Sequence, residues 1–319
     1  MGDDGRVESG AARDTPEFAR DPMPEAEALG LAEQCSNLGR WGLDDDLGTL
    51  NFITAERRLA AIALVRVGTV VSIGRDLDRV PSPLNRRPVV HRMLFVDPTD
   101  PPGCVDVTEI APHGFSVTHV DAVTHVYLEG GVYNGRRAAD VVSSEGLSFG
   151  SIIAGRQGVV TRGVLLDIAA ALGVRWLAPG EPIWPEDLEA AERFGAVNVG
   201  SGDAIFVHTG LARYRADHPD DSGRRPGLAA ECLPWLHQRE IAVYSGDCDE
   251  VTPPLYGRLP APLHQIGLAA MGLSLLDNPD LDELVDVCRR LERYEFLVTY
   301  APLRLRGGTG SPVNPLCLF

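Results

Sequence analysis

The chain contains no lysine; all 29 of its basic residues are arginine. That absence excludes a Schiff-base lysine, a pyridoxal phosphate anchor and a phosphate-loop lysine. Cysteine is scarce and scattered: Cys35, Cys104, Cys232, Cys248, Cys288 and Cys317 include no CxxC pair. A disulfide framework or an all-cysteine zinc site is therefore not expected, and buried thiols are. No run approaches the roughly 18 apolar residues that a membrane-spanning helix needs. The first residues, MGDDGRVESGAARDTPEFARDPMPEAEA, lack the basic and apolar regions of a secretory signal. A cytoplasmic protein is the resulting expectation. Positive charge is also in deficit. The formal net charge of −16 disfavours nucleic acid and anionic membrane as partners, but it does not argue against a small-molecule substrate.

What is present is a chain of 319 residues, 44% of them hydrophobic, enough for a large core. Residues 1–27 are acidic and proline-rich and read as a flexible tail ahead of one catalytic domain over 28–319. NLGRWGLDDDLGTLNFI reads as an ordered loop. TAERRLAAIALVRVG follows as a helix with Thr54 at its N-cap. TVVSIG, PVVHRMLFV, VDVTEI, GVVTRGVLLDI, GDAIFVHTG, IAVYSGD and YEFLVTYAPLRL read as strands, with DPTDPPG a turn-rich link. WPEDLEAAERFG, GLAAECLPWLHQRE and DLDELVDVCRRLER read as helices; Pro185 stands near the first turn of one, and Pro234 kinks another or lies near its start. Strands and helices alternating throughout, with no internal repeat, predict an α/β or α+β domain with a substantial sheet.

The stretch HGFSVTHVDAVTHVYLEGG, residues 113–131, holds three of the eight histidines. In a strand, His119 and Asp121 project from one face, about 7 Å apart along the chain. Imidazole nitrogen and carboxylate oxygen together suit Zn²⁺ or Mn²⁺. Six extended residues span about 20 Å, so His125 joins that pair only if the strand ends near Ala122 and the chain turns back. From there it could act as general acid or base. The competing reading is a strand that happens to be rich in structural histidines. Of the others, His218 and His237 look solvent-facing, and His91 and His208 lie in apolar strands. His264, opening an apolar helix after a proline-rich turn, is the best third ligand, with Asp277 at the end of that apolar run. GGTGSP near residue 310 lacks the strand-to-helix context of a nucleotide loop and reads as a turn.

THVDAVTH resembles the core of the HxGTHxDxPxH signature of the cyclase family, which includes bacterial kynurenine formamidases, isatin hydrolase-like enzymes and polyketide cyclases. RWGLDDDLGTLNFITAERRLAAIALVRVGTVVSIG, GDAIFVHTG, VYSGDCDEV, PLHQIGLAAMGLSLLDN and SPVNPLCLF resemble further blocks in the same order, so the likeness runs from about residue 36 onward. It implies an α/β fold around a β-rich, barrel-like core flanked by helices, assembled as homodimers or homotetramers. It implies His119, Asp121 and His264 as ligands of one divalent metal, Zn or Mn, and His125 as the catalytic acid/base. Asp277 stands close to where the family has a distal Glu. Three positions depart from the signature: Phe115 replaces its first His, Val117 its Gly and Val123 its Pro. His113 or Gln265 could supply the missing ligand, while Phe115 would line the pocket. Tyr133 and Asn134 in VYNGR could contact substrate, or close an Asn-Gly turn. The implied activity is hydrolysis of a small cyclic amide, ester or lactone, or of a formamide, by a metal-activated water. A cyclase or dehydratase of natural-product biosynthesis is the alternative, and a metal-free binding protein the third.

Overall fold

The computed structural model describes residues 20–95, 103–221 and 223–319. Residues 1–19 of the acidic tail and residues 96–102 of the turn-rich link lie outside the described residues. The longer elements begin with α1 (Glu25–Gln34), α2 (Ala55–Ile62), β1 (Val70–Ser72), β2 (Val90–Phe95), β3 (Val105–Glu109) and β4 (His119–Asp121). There follow β5 (Val159–Asp167), α3 (Pro185–Gly195), β6 (Ala204–His208), α4 (Leu211–Asp217), α5 (Cys232–Gln238) and β7 (Val243–Gly246). The last are α6 (Leu263–Met271), β8 (Ser274–Asp277), α7 (Asp282–Leu291), β9 (Glu295–Tyr300), β10 (Gly310–Pro312) and β11 (Leu316–Leu318).

Local chemistry sets several of these boundaries. The Thr54 hydroxyl accepts from Arg57 N at 3.3 Å and starts α2, as a side-chain cap does for an unbonded first-turn N–H. Pro185 is the first residue of α3, and Asp187 turns back to accept from Trp184 N at 2.8 Å. Pro234 is the third residue of α5, where a helix has no use for the missing N–H. The acidic segment is anchored from residue 20 onward: Met23 N donates to Glu231 at 2.7 Å and α1 begins two residues later.

Among the described residues, nine strands form one sheet in the order β1-β11-β9-β5-β6-β7-β8-β4-β10. Strands β5, β6, β7 and β8 run parallel, and the flanking strands pair antiparallel. The sheet curls into a half-barrel with helices around it, the mixed α/β architecture that the sequence implied. Both faces of the central strands are covered. Leu166, Ile205, Val207 and Leu275 point to one core with Trp235, Leu263 and Ile266. Leu165, Phe206 and Leu276 point to the other with Leu284, Phe296 and Phe319. That is the period-two alternation of a sheet buried on both sides, which reads in sequence as a continuous apolar run. Among the described residues, no helix is long and apolar enough to cross a membrane.

At the carboxyl ends of the parallel strands lies a buried ion network. His208, the last residue of β6, is in register with Asp167, the last of β5. Its Nδ1 lies 2.8 Å from Asp167 Oδ1, and Arg289 of α7 donates to Asp167 Oδ2 at 2.8 Å. Burial lowers the affinity of His208 for a proton, but the hydrogen bond to Asp167 and the nearby Asp282 carboxylate outweigh it and raise the imidazole to about 9. The stability from this ion pair is therefore fully present below about pH 6.5 and is lost as pH rises through about 9. Urea unfolding of the native chain is expected to weaken between pH 6.5 and 9.5 by on the order of 3 kcal/mol more than that of a His208→Gln variant. An identical pH dependence in the two proteins would remove His208 as the titrating group.

Candidate metal centre

The centre is built where β4 enters the sheet. The shared-face argument holds only from His119 on, because the regular strand starts there and residues 113–118 bend into it. His119 and Asp121 project together, with His119 Nε2 3.4 Å from Asp121 Oδ1. The strand ends at Asp121 and the chain turns at once: His125 N donates to Ala122 O at 2.8 Å. That turn returns His125 Nε2 to 4.0 Å from Asp121 Oδ2. Asp277, at the end of β8, is in register with His119 across the ladder, and its Oδ2 is 3.8 Å from His119 Nε2. His264, one residue into α6, brings Nε2 to 3.1 Å from Asp277 Oδ2 and 3.6 Å from Asp121 Oδ2.

His113 enters the same cluster. Its Nδ1 is 3.1 Å from Asp121 Oδ1, its ring stacks on His125 at 3.7 Å, and it meets His119 edge-on at 5.2 Å. Phe115 stands outside the cluster, 41% exposed, with the Arg225 guanidinium 4.0 Å from its ring centre. Gln265 turns its amide oxygen back to Ala261 N at 3.0 Å. Tyr133 is fully buried and donates to Asp45 at 3.0 Å. The Asn134 amide donates to Gly42 O and Asp45 O and accepts from Gly39 N. These two side chains hold the Gly/Asp-rich loop of residues 39–45. His91 pairs with Asp106 on the β2–β3 ribbon, His218 stacks on Tyr214, and His237 is half-buried against Asn37.

The donor set fits a divalent ion on an observation independent of any relative. Both carboxylate oxygens of Asp121, Oδ1 of Asp277 and Nδ1 of His113 are buried without a hydrogen-bond partner, which native proteins rarely tolerate without an ion or water to satisfy them. Two ligand triads, His113/His119/Asp121 and Asp121/His264/Asp277, share Asp121, and within each the donor atoms lie within 4.8 Å of one another. Each of the three histidines has its other nitrogen tied away from the cluster. His119 Nδ1 donates to Val117 O at 2.9 Å, His264 Nδ1 faces Glu250 Oε1 at 2.8 Å, and His113 Nε2 meets the Thr309 hydroxyl at 2.9 Å. The acceptor-only partners of His119 and His264 fix the tautomer and leave the inward lone pair free, and the Thr309 hydroxyl holds the His113 ring in place, the arrangement that metal-binding imidazoles use.

The electrostatics of the ion-free cluster follow from its carboxylates. Burial works against charge on Asp121, yet the close approach of the His113 and His119 imidazoles holds its carboxyl far below the usual range. Burial likewise opposes charge on His119 and His264. Asp121 and Asp277 nevertheless lift His119 to about 9, and Glu250 and Asp277 lift His264 well above its ordinary value. His125 goes the other way: burial, reinforced by His113 and His264, lowers it to about 4, so it is a neutral base at pH 7.

Four contributors were not singled out in the sequence. Glu250 orients His264 from the end of the VYSGDCDEV block. Asn278, directly after Asp277, donates to Gly114 O and Val117 O at 2.6 and 3.2 Å and fastens the bend before β4. Thr309 and Gly310, in the segment read only as a turn, clamp His113. Gly310 pairs with Asp121 on β4, and a Cβ there would lie 2.5 Å from His113 Cε1.

A curled, mixed α/β sheet carrying a His/Asp cluster able to hold a divalent ion at one strand end defines the class of this protein. The chain belongs to the cyclase family: the model of that family, described as "Putative cyclase", matches residues 64–251. No curated protein sequence matches it. Among solved structures, a crystal structure of a novel cyclase superposes with a TM-score of 0.81 at 28% identity, covering 89% of this chain and 99% of its own. An isatin hydrolase bound to the product analogue thioisatinate gives 0.58 at 18% identity, covering 83% of this chain and 99% of its own. Isatin hydrolase A from Labrenzia aggregata, bound to benzyl benzoate, gives 0.57 at 18%, covering 83% and 98%. The last two likenesses are of fold.

Replacing Gly310 by Ala is expected to push the His113 ring aside and weaken Zn²⁺ binding, measured by calorimetry, by about 10- to 100-fold. Thr309→Val should act in the same direction through loss of the ring's anchor. Unchanged Zn²⁺ affinity in both variants would take His113 out of the donor set.

Proposed function

We propose that the protein is a metal-dependent hydrolase that opens a small cyclic amide, ester or lactone, or cleaves a formamide. The observation that carries this reading is the inward convergence of three imidazoles, each anchored through its outward nitrogen, on the unpartnered carboxylate of Asp121. One divalent ion, Zn²⁺ or Mn²⁺, would be held by His119, Asp121 and His264, with His113 and Asp277 the adjoining donors. Such an ion lowers the pKa of water toward neutrality and polarises a carbonyl.

The side chains supply the rest. His125 is neutral at pH 7, stands beside the cluster rather than within either ligand triad, and has a quarter of its side chain open to solvent. It therefore takes the proton from the attacking water and delivers it to the departing nitrogen or oxygen. Its ring plane is set by the stack on His113, which orients the transferring nitrogen. Glu250 holds the His264 ring through Nδ1 and also accepts from His264 N at 2.8 Å, so side chain and backbone of that ligand are fixed by one carboxylate. Neither a serine nor a cysteine nucleophile is required; five of the six cysteines are buried. Ring closure in natural-product biosynthesis, the second reading, draws on the description carried by the family model and uses the same carbonyl activation.

The test is a screen of lactones, cyclic imides and formamides on protein stripped with chelator and reloaded with Zn²⁺ or Mn²⁺. Turnover is expected to disappear on stripping and return on reloading. His125→Ala should keep its metal, measured by elemental analysis, and lose about 10²- to 10⁴-fold in kcat. Full turnover in that variant would overturn the role of His125. A protein that takes up neither ion would instead be a binding protein.

A further inference from the structure

Beside the candidate centre lies a cleft of about 260 Å³ that has His113, but no other side chain of the centre, in its wall. Pro83, Leu84, Ala111 and Phe115 give the cleft an apolar lining, and the other charged side chains in the wall are Arg86 and Arg87. Among the described residues no carboxylate lines it, although acidic residues outnumber basic ones 45 to 29 in the chain. Among the described residues, neither arginine has a carboxylate within 4.0 Å, whereas Arg92, Arg136, Arg137 and Arg175 all do. A third guanidinium, that of Arg225, lies 4.0 Å from the ring centre of Phe115 and is itself mostly buried, 4.0 Å from Asp249. The wall formed by Leu84, Phe115 and Ser116 separates this cleft from a wider one lined by five carboxylates, Asp76, Asp78, Asp280, Asp282 and Glu283, against two arginines, Arg75 and Arg215. An acidic molecule therefore has one accepting side and one repelling side to choose between.

We propose that the substrate carries a carboxylate or a similar single anionic group on a small apolar body, and that Arg86 and Arg87 select it. The guanidiniums offer planar, charge-assisted donors to the anion, and an isolated positive rim on an acidic protein concentrates anions at the cleft. The apolar body packs on Leu84 and Phe115, which places its other end against His113. The volume lies just below the roughly 300–1,000 Å³ of common ligand pockets, so the body is a single ring or a short chain. The proposal rests on the hydrolase reading only for the identity of the reacting bond; the recognition itself needs no turnover.

Calorimetric titration with phenylacetate and with its neutral counterpart phenylacetamide tests it, on protein both reloaded with Zn²⁺ and stripped with chelator. Phenylacetate is expected to bind at least tenfold tighter in both forms, with an affinity that falls as salt rises. The double variant Arg86→Gln/Arg87→Gln, at two exposed positions, should lose that preference while binding phenylacetamide as before and keeping its unfolding midpoint. Equal affinity for the two probes, no binding of phenylacetate, a preference present only with Zn²⁺ bound, or a preference that survives the double variant would each overturn the proposal. A preference that behaves as expected in a protein that hydrolyses nothing would leave the anion site standing and remove the hydrolase reading alone.

Discussion

The carboxylate of Asp121 is the constraint around which the rest is arranged. It is buried, both of its oxygens lack hydrogen-bond donors, and four imidazole nitrogens lie between 3.1 and 4.0 Å from it. A bare carboxylate in that position costs several kcal/mol unless positive charge compensates it. Protons on His119 and His264 can supply that charge, and so can a divalent ion, which displaces those protons. The two solutions compete for the same lone pairs. Ordinary packing would have filled the space with apolar side chains or paired the acid with an arginine. Its place on a strand of a nine-stranded sheet is what makes it a candidate functional residue.

Much of this was legible in the sequence, for reasons that can be named. His119 and Asp121 were visible as a pair because two residues of extended chain always share a face. Length alone showed that His125 could join them only if the chain turned back near Ala122, since a straight strand would have carried it out of reach. Asp277 was found by its place at the end of an apolar run, and the ladder explains why: that run is α6 and β8, and β8 lies beside β4 in register. What could not be read was anything fixed by contacts between distant segments. Glu250 looked like one more acid in an acidic chain. Thr309 and Gly310 looked like a turn, because their role depends on an imidazole almost 200 positions away in sequence.

The replacement of the signature's first histidine by Phe115 shows how geometry can outvote alignment. The position two residues earlier reaches Asp121 because the chain before β4 is bent rather than extended, and Gly114 takes a φ of +129° within that bend. Freed from the ligand role, position 115 faces outward, where its ring lies against Arg225 and lines the mouth of the cleft. A change that looks in sequence like the loss of a ligand leaves a histidine at the cluster and an aromatic ring in the wall of the neighbouring cleft.

The distance in sequence between the parts of the centre has a consequence for how the chain acquires its ion. Residues 113, 119, 121, 264 and 277 come from three separate stretches, and the clamp on the first of them comes from a fourth. The unfolded chain offers no compact pair of inward nitrogens like that of a helical His-x-x-x-His motif, so it competes poorly for metal. An ion that binds the folded form alone would staple β4 to β8 and α6 near one edge of the sheet, joining segments far apart in sequence, and its free energy of binding would add directly to the free energy of folding. In such a protein, the supply of metal and the lifetime of the fold are coupled quantities.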